Sequence, residues 1–136
     1  MATISEDYVS FETAKLLKEK GFDENCAALY NLRNGEFCEK QTGYVFNNSQ
    51  WDSFITAPTL QMAMKWLREV HNIFICIIPS EVGAGVMDYT YALYKIDAKN
   101  FYFKDLGIQG RAKNISKISY EEACEAAIKY CLENLI

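Results

Sequence analysis

The feature that most constrains this 136-residue sequence is a change of hydrophobic period near residue 72. In residues 58–72 the apolar side chains recur with a helical period, and the polar ones share one narrow sector. Residues 73–78 are continuously apolar and rich in β-branched side chains, which is typical of a strand covered on both faces. Residues 86–96 alternate between two faces, as in a half-buried strand. The pattern predicts a helix followed by an antiparallel hairpin whose loop is residues 79–85.

Residues that can cap helix ends predict two more helices. Ser10 can accept a hydrogen bond from a free main-chain N–H at the start of residues 11–20, and Gly21 can end that helix in a left-handed conformation. Ser119 and Glu122 form a capping-box pattern at the start of a third helix. In the middle helix Pro58 fits the first turn, where a missing N–H costs nothing. Its wide apolar arc predicts that this helix is central and packs on the sheet.

The remaining segments predict short strands and loops. Asn34–Gly35 is a strong hairpin signal and indicates a small meander within residues 27–46. Residues 101–104 are predicted to form a further short strand, and residues 47–56 and 107–117 are predicted to be loops. Together these elements predict a single α+β domain over residues 1–136, with an antiparallel sheet and about three helices packed mainly on one face.

Composition and charge narrow the classes of function. The 14 Lys and Arg residues against 18 Asp and Glu residues leave a net charge of −4, which gives no general attraction to nucleic acid or to an anionic membrane. No apolar stretch is long enough to span a bilayer, and the first residues do not resemble a signal peptide, so we expect a cytoplasmic protein. We also expect the five cysteines to be reduced and to act as small hydrophobic residues.

The sequence contains few of the residue patterns that are typical of catalytic sites. His71 is the only histidine, so metal sites built from several histidines are excluded, and we predict no cofactor. The sequence contains the residue types for a catalytic pair of a cysteine and His71. However, a positively charged side chain at a helix end is the simpler interpretation of His71. Asp88, Asp97 and Lys99 have the residue types of a metal-dependent nuclease. However, an acid-x-Lys triplet is expected by chance in a chain with this many acids and lysines.

Two groups of residues could bind a small anionic ligand such as a nucleotide. Tyr89 and Tyr91 form an aromatic stripe on one face of a strand, where they could line a pocket or contact a packed helix. Arg111, Lys113 and Lys117 make the segment after Gly107 locally basic. This segment could hold an anion or could be a solvated loop.

The leading hypothesis is a non-enzymatic binding or adaptor protein that acts on a protein partner and can self-associate. This hypothesis rests mainly on the scarcity of residue patterns that are typical of catalytic sites. Trp51 and Phe54, in a predicted loop, could form the partner surface or could pack into the core. The alternatives are a sponge or sensor for a small anion, which would use the basic loop around Arg111, and a metal-dependent nuclease.

Three stretches of the sequence together form a recognisable pattern. They are SFETAKLLKEKGFD at residues 10–23, APT at 57–59 leading to KWLREVH at 65–71, and SYEEA at 119–123. In this order the chain resembles a group of small proteins, without assigned activity, carried by phages and mobile elements of gut bacteria. The resemblance implies a protein made inside a bacterial cell, and it carries no functional residue over to this chain.

Overall fold

A computed structural model describes residues 4–39, 45–49, 52–81, 83–85, 87–97, 99–110 and 119–136. The described residues form three helices and six strands, which confirms the predicted α+β class. In chain order they are α1 (Phe11–Glu19), β1 (Ala28–Asn31), β2 (Phe37–Glu39), β3 (Phe54–Thr56), α2 (Leu60–His71), β4 (Ile73–Glu81), β5 (Met87–Asp97), β6 (Tyr102–Gly110) and α3 (Tyr120–Asn134).

The strands form two antiparallel sheets where one was expected, with the orders β2-β1-β3 and β4-β5-β6. The chain divides into two compact units, residues 1–63 and 64–136, and each unit contains one sheet. The described helices include none that is long and apolar enough to cross a membrane.

In the first unit, local signals set the ends of α1 as predicted. The Ser10 hydroxyl accepts from the main-chain N–H of Thr13 at 3.2 Å. Gly21 has a φ of +92°, and the N–H of Phe22 returns to the Leu17 carbonyl at 2.9 Å, which is the bond of a Schellman ending. Phe22 and Leu17 are both buried, so the helix end also contributes to the core.

The small sheet of the first unit was only partly predicted. The Asn34–Gly35 turn joins β1 to β2 as expected, and Gly35 has a φ of +73°. Residues 54–56, expected to lie in a loop, form β3, which pairs with β1. Ile55 and Thr56 are buried, because pairing with β1 places this short segment in the core. The predicted turn at Gly43 lies outside the described residues.

The middle helix differs from its prediction in two respects. It begins at Leu60 rather than at Pro58, and the hydroxyl of Thr59 accepts from the N–H of Met62 at 3.1 Å, as an N-cap residue does. Its buried stripe is also narrower than the apolar arc, since Met62 and Val70 are 39% and 54% exposed. Burial depends on what packs against a helix face, and the helix that packs on β4 and β5 is α3.

The second unit is built on the hairpin of β4 and β5. Directly opposed residues share a face, so the register assigns Ile75, Leu93 and Tyr91 to the face that α3 covers, as the period-2 pattern predicted. Strand β4 continues beyond its predicted end at residue 78, and its residues 79–81, expected in the loop, pair with residues 87–89 of β5. Ser119 and Glu122 make both bonds of the predicted capping box at the start of α3. The buried residues of α3 are Ala123, Cys124, Ala127, Ile128, Cys131 and Leu132.

Strand β6 is the largest departure from the prediction in this unit. A short strand was expected over residues 101–104 and a loop from residue 107, but β6 runs to Gly110. Its pairing shifts between Leu93 and Tyr94 of β5, which face Ile108 and Asp105, so two extra residues of β6 form a bulge. Gly107 in the bulge has a φ of +69°, and its N–H donates to the Asp105 carboxylate at 2.8 Å.

Candidate functional site

In the turn between β5 and β6, the Asp97 carboxylate accepts three hydrogen bonds. Asp97 Oδ1 accepts from the main-chain N–H of Lys99 at 3.1 Å and of Asn100 at 3.4 Å. Asp97 Oδ2 accepts from the Asn100 side-chain amide at 2.6 Å. The Asn100 side chain holds the pKa of Asp97 below its usual value, with smaller contributions from the two N–H groups and from the charge of Lys99. The carboxylate is therefore ionised at neutral pH and accepts these three hydrogen bonds as an anion.

The turn presents an exposed aromatic group. Phe101 has a φ of +52° and is 96% exposed, while Tyr102 and Phe103 are 48% and 65% exposed. Phe103 stacks on Tyr94 with ring centroids 5.4 Å apart and an interplanar angle of 23°. We call Tyr94, Phe101 and Phe103 the hairpin-tip patch; the Tyr102 side chain points to the opposite face of the sheet from Phe103.

The conformation of Phe101 has a cost that the hairpin must offset. A non-glycine residue in the left-handed region is disfavoured by about 1–2 kcal/mol, and a bulky residue is rare there. Phe101 also exposes nearly all of its apolar surface to water. Strain combined with exposure of a large aromatic side chain is found where a surface serves binding. The sequence signal for the patch is the aromatic run at residues 101–103 next to an Asp/Asn turn, which by itself predicted only a short strand.

The outer edge of β6 also carries main-chain groups available for pairing. Ile96 donates its N–H to the Asn72 carbonyl at 2.9 Å, so the main chain of Ile96 points toward β4. Main-chain groups alternate in direction along a strand. The groups of Lys95 and Asp97 therefore point toward β6.

The pairing register between β5 and β6 determines which main-chain groups of β6 point toward β5. Lys104 pairs with Lys95, and Tyr102 pairs with Asp97, so the main-chain groups of both β6 residues point back to β5. The main-chain groups of Phe103 and Asp105 consequently point away from the sheet. Among the described strands β6 pairs only with β5, so this edge has no strand beside it.

The two tyrosines predicted to bind a ligand contact α3. Tyr89 meets Tyr120 edge-on with centroids 5.8 Å apart, and Tyr91 lies 6.3 Å from Tyr130. Tyr91 is 6% exposed, and burial raises the pKa of its hydroxyl. The stripe is thus a place where a helix packs on a sheet, which was one of its two interpretations, and its role in ligand binding stays a prediction.

The other residues proposed from the sequence are in part outside the described residues. Arg111, Lys113, Lys117 and Trp51 are not among them. Phe54 is half-buried in β3, where it pairs with Asn31.

The residues of the nuclease hypothesis do not come together. Asp88 and Asp97 lie at opposite ends of β5, and nine residue steps of about 3.3 Å separate them by about 30 Å. Two carboxylates at that distance cannot bind one metal ion. Within the described part of the chain, no group of three or more His, Cys, Asp or Glu side chains is arranged to hold a metal.

The three buried thiols, those of Cys26, Cys124 and Cys131, are poorly suited to nucleophilic catalysis. Burial raises the pKa of Cys26 and of Cys124 to about 11, and that of Cys131 to about 12. The charge of Lys95 acts on Cys131 in the opposite direction, but burial is the larger effect. A catalytic cysteine needs a lowered pKa and access to substrate, and Cys131 is fully buried.

His71 lies in the same region as Lys95. The Lys95 ammonium donates to the His71 main-chain carbonyl at 2.9 Å, and the His71 ring meets Trp66 edge-on at 4.7 Å. Burial lowers the pKa of His71, and the nearby charge of Lys95 lowers it further. This arrangement favours a neutral imidazole, in contrast to the helix-end cation expected from the sequence.

Comparison with known proteins adds no family assignment. No family model, curated protein or solved structure matches this chain.

Proposed function

We propose that this chain is a non-enzymatic binding protein that engages a protein partner through the hairpin-tip patch. The observation that carries the proposal is Phe101, a nearly fully exposed aromatic residue held in a left-handed conformation by a braced turn. A protein surface with an apolar depression beside a strand edge would be complementary to this tip.

The geometry of the patch provides both affinity and rigidity. Burying a phenylalanine side chain contributes about 1.5–3 kcal/mol, and Phe101 and Phe103 both have most of their surface free to bury. Because Asp97 already accepts hydrogen bonds from Lys99 and Asn100 in the turn, binding would lose less conformational entropy than it would with an unbonded turn. A few rigid aromatic anchors commonly dominate the binding energy of an interface.

Photocrosslinking in the cells that natively make the protein tests the proposal. A benzoylphenylalanine at position 101 should form a specific adduct with a protein. The same group at position 70 provides the control, because Val70 is also exposed, at 54%, but lies on α2. Equal labelling from both positions would refute a binding role for the patch.

Binding should then be quantified with the purified partner. The double variant Phe101→Ser/Phe103→Ser should weaken the affinity about 100-fold, because it removes two aromatic anchors worth about 3 kcal/mol together. Val70→Ser should bind as the parent does. An unchanged affinity in the double variant would show that the crosslinked partner binds without the patch, and it would contradict the proposal.

A small anionic ligand is the second candidate, and one contact favours it. The Tyr91 ring lies over Gly110, the last residue of β6, and the predicted basic segment follows Gly110 in the sequence. A nucleotide should raise the melting temperature of the parent, and Arg111→Ala should abolish that shift. If no nucleotide stabilises the protein, the second candidate is excluded.

A further inference from the structure

We infer that Asn34 is a site of spontaneous covalent modification, at which the side-chain amide converts to aspartate and isoaspartate, and that the β1–β2 turn controls the rate. The inference is independent of the hairpin-tip patch, because this turn lies in the first compact unit and the patch lies in the second. It depends on the residue that follows Asn34 and on the hydrogen bonds within the turn.

The reaction needs no enzyme, because the nucleophile and the electrophile are neighbours in the chain. The main-chain nitrogen of Gly35 loses its proton to hydroxide and attacks Cγ of Asn34, which closes a succinimide ring. The bond between Cγ and Nδ2 then breaks, and ammonia leaves with a proton taken from water, which regenerates the hydroxide. Water adds to one of the two ring carbonyls, and the ring opens to aspartate or to isoaspartate. Attack within one molecule has the advantage of a high effective concentration.

The sequence directs this reaction to one position. Asn34 is the only asparagine that is followed by glycine. Any other following residue has a Cβ beside the attacking nitrogen, whereas Gly35 leaves the approach to Cγ open. Asn34 is exposed, so hydroxide and water can reach it. Its Nδ2 donates no hydrogen bond to any residue that the structure describes, so nothing in that part of the chain holds the leaving group.

One hydrogen bond of the turn favours attack on the amide carbon. The main-chain N–H of Glu36 donates to Asn34 Oδ1 at 2.9 Å. Negative charge develops on this oxygen when the Gly35 nitrogen adds to Cγ, and a donor that is already directed at the oxygen stabilises that charge. The same bond folds the side chain back along residues 35 and 36, beside the attacking nitrogen.

A second hydrogen bond opposes the reaction by holding the nucleophile. The N–H of Gly35 donates to the Asn31 carbonyl at 2.7 Å, and this proton must leave before the nitrogen can attack. Two further bonds close the same turn: the Asn31 N–H donates to the Glu36 carbonyl at 2.9 Å, and the Arg33 N–H donates to Asn31 Oδ1 at 2.8 Å. The reaction therefore proceeds from a locally opened turn, and its rate follows how often the turn opens.

The products change the surroundings of the turn. Isoaspartate lengthens the main chain between β1 and β2, and both products add a carboxylate beside Glu36. Gly35 lies close to α1, since a Cβ at this position would be 3.7 Å from Cδ1 of Phe11. A lengthened turn should disturb this packing and the pairing of Tyr30 with Phe37, so we expect the isoaspartyl form to unfold at a lower temperature.

Incubation of the purified protein at pH 8, followed by digestion and mass spectrometry, tests the inference. Aspartate and isoaspartate should accumulate at position 34, and faster at higher pH. Asn100 is the matched control in the same sample, because it is also exposed in a turn but is followed by Phe101. In guanidinium chloride Asn34 should react about 30-fold faster, because each of the two main-chain bonds that then open contributes a factor of about five.

Two variants separate the chemistry from the control by the turn. Gly35→Ala should react about tenfold more slowly than the parent in guanidinium chloride, where folding has no influence. Asn31→Ala removes the acceptor of the Arg33 N–H and should raise the native rate about fivefold, with no change in the denatured chain. The inference is overturned if Asn34 converts no faster than Asn100, if the native and denatured rates are equal, or if Asn31→Ala leaves the native rate unchanged.

Discussion

The close contact between Gly110 and Tyr91 makes one substitution especially informative. A Cβ added at Gly110 would lie 2.6 Å from both Cζ and the hydroxyl oxygen of Tyr91, which is far inside van der Waals contact. Tyr91 is 6% exposed and its ring contacts Tyr130 of α3, so a shift of the ring away from the new methyl group should disturb that contact. Gly110→Ala should therefore strain the pairing of β5 with β6.

The expected effect follows from the cost of overpacking. One methyl group forced into a packed site costs about 1–3 kcal/mol, so we expect the free energy of unfolding to fall by about 2 kcal/mol. For 136 residues the entropy of unfolding is about 0.29 kcal/mol/K, so the melting temperature should fall by about 7 °C. Urea unfolding followed by circular dichroism and calorimetry would measure the two quantities.

A double-mutant cycle shows whether the Tyr91 ring is the cause. In a Tyr91→Leu background the ring is absent, and Gly110→Ala should cost much less than in the parent. The control is Ser80→Ala in β4, which pairs with Asp88, about 10 Å along β5 from Tyr91, and lies in a strand not adjacent to β6, so it should not couple to Gly110. If Gly110→Ala is within about 0.5 kcal/mol of the parent, or costs the same in both backgrounds, the steric argument is wrong.

Three further predictions test other parts of the structure. Ser119→Ala removes the capping box of α3 and should lower the free energy of unfolding by about 1 kcal/mol, as measured by urea unfolding; an unchanged midpoint would show that the cap contributes nothing. Because folding lowers the pKa of His71 below 6.5, the unfolded state binds its proton more readily. The stability from the neutral imidazole should be complete above pH 6.5 and decline as the pH falls through the folded-state pKa, and His71→Gln should flatten that part of the stability–pH profile. Cys131, with a pKa of about 12, should react with a thiol reagent at pH 8 only after denaturation, and rapid labelling of the native protein would contradict its burial.

Local chemistry accounts for the features that could be predicted from the sequence. Ser10 caps α1, and Ser119 with Glu122 caps α3, because a cap is formed within three or four residues of chain. The Asn34–Gly35 turn and the two faces of β5 were likewise predictable, since turn type and period-2 alternation are properties of adjacent residues.

Features that depend on distant partners were not predictable in this way. Residues 107–110 and 54–56 resemble loops in composition, but pairing with β5 and β1 makes them strands. The tyrosine stripe is occupied by α3, and Val70 is exposed despite its place in an apolar arc.

The candidate site also combines features that the sequence predicts with features that depend on tertiary structure. The sequence by itself determined that residues 101–103 are aromatic and follow a turn of Asp and Asn residues. Only the tertiary structure decided that Phe101 lies 96% exposed and that β6 is the last described strand of its sheet. The physical reason is that a side chain's burial and a strand's free edge depend on which other elements come to lie beside them, and that information is spread over the whole chain.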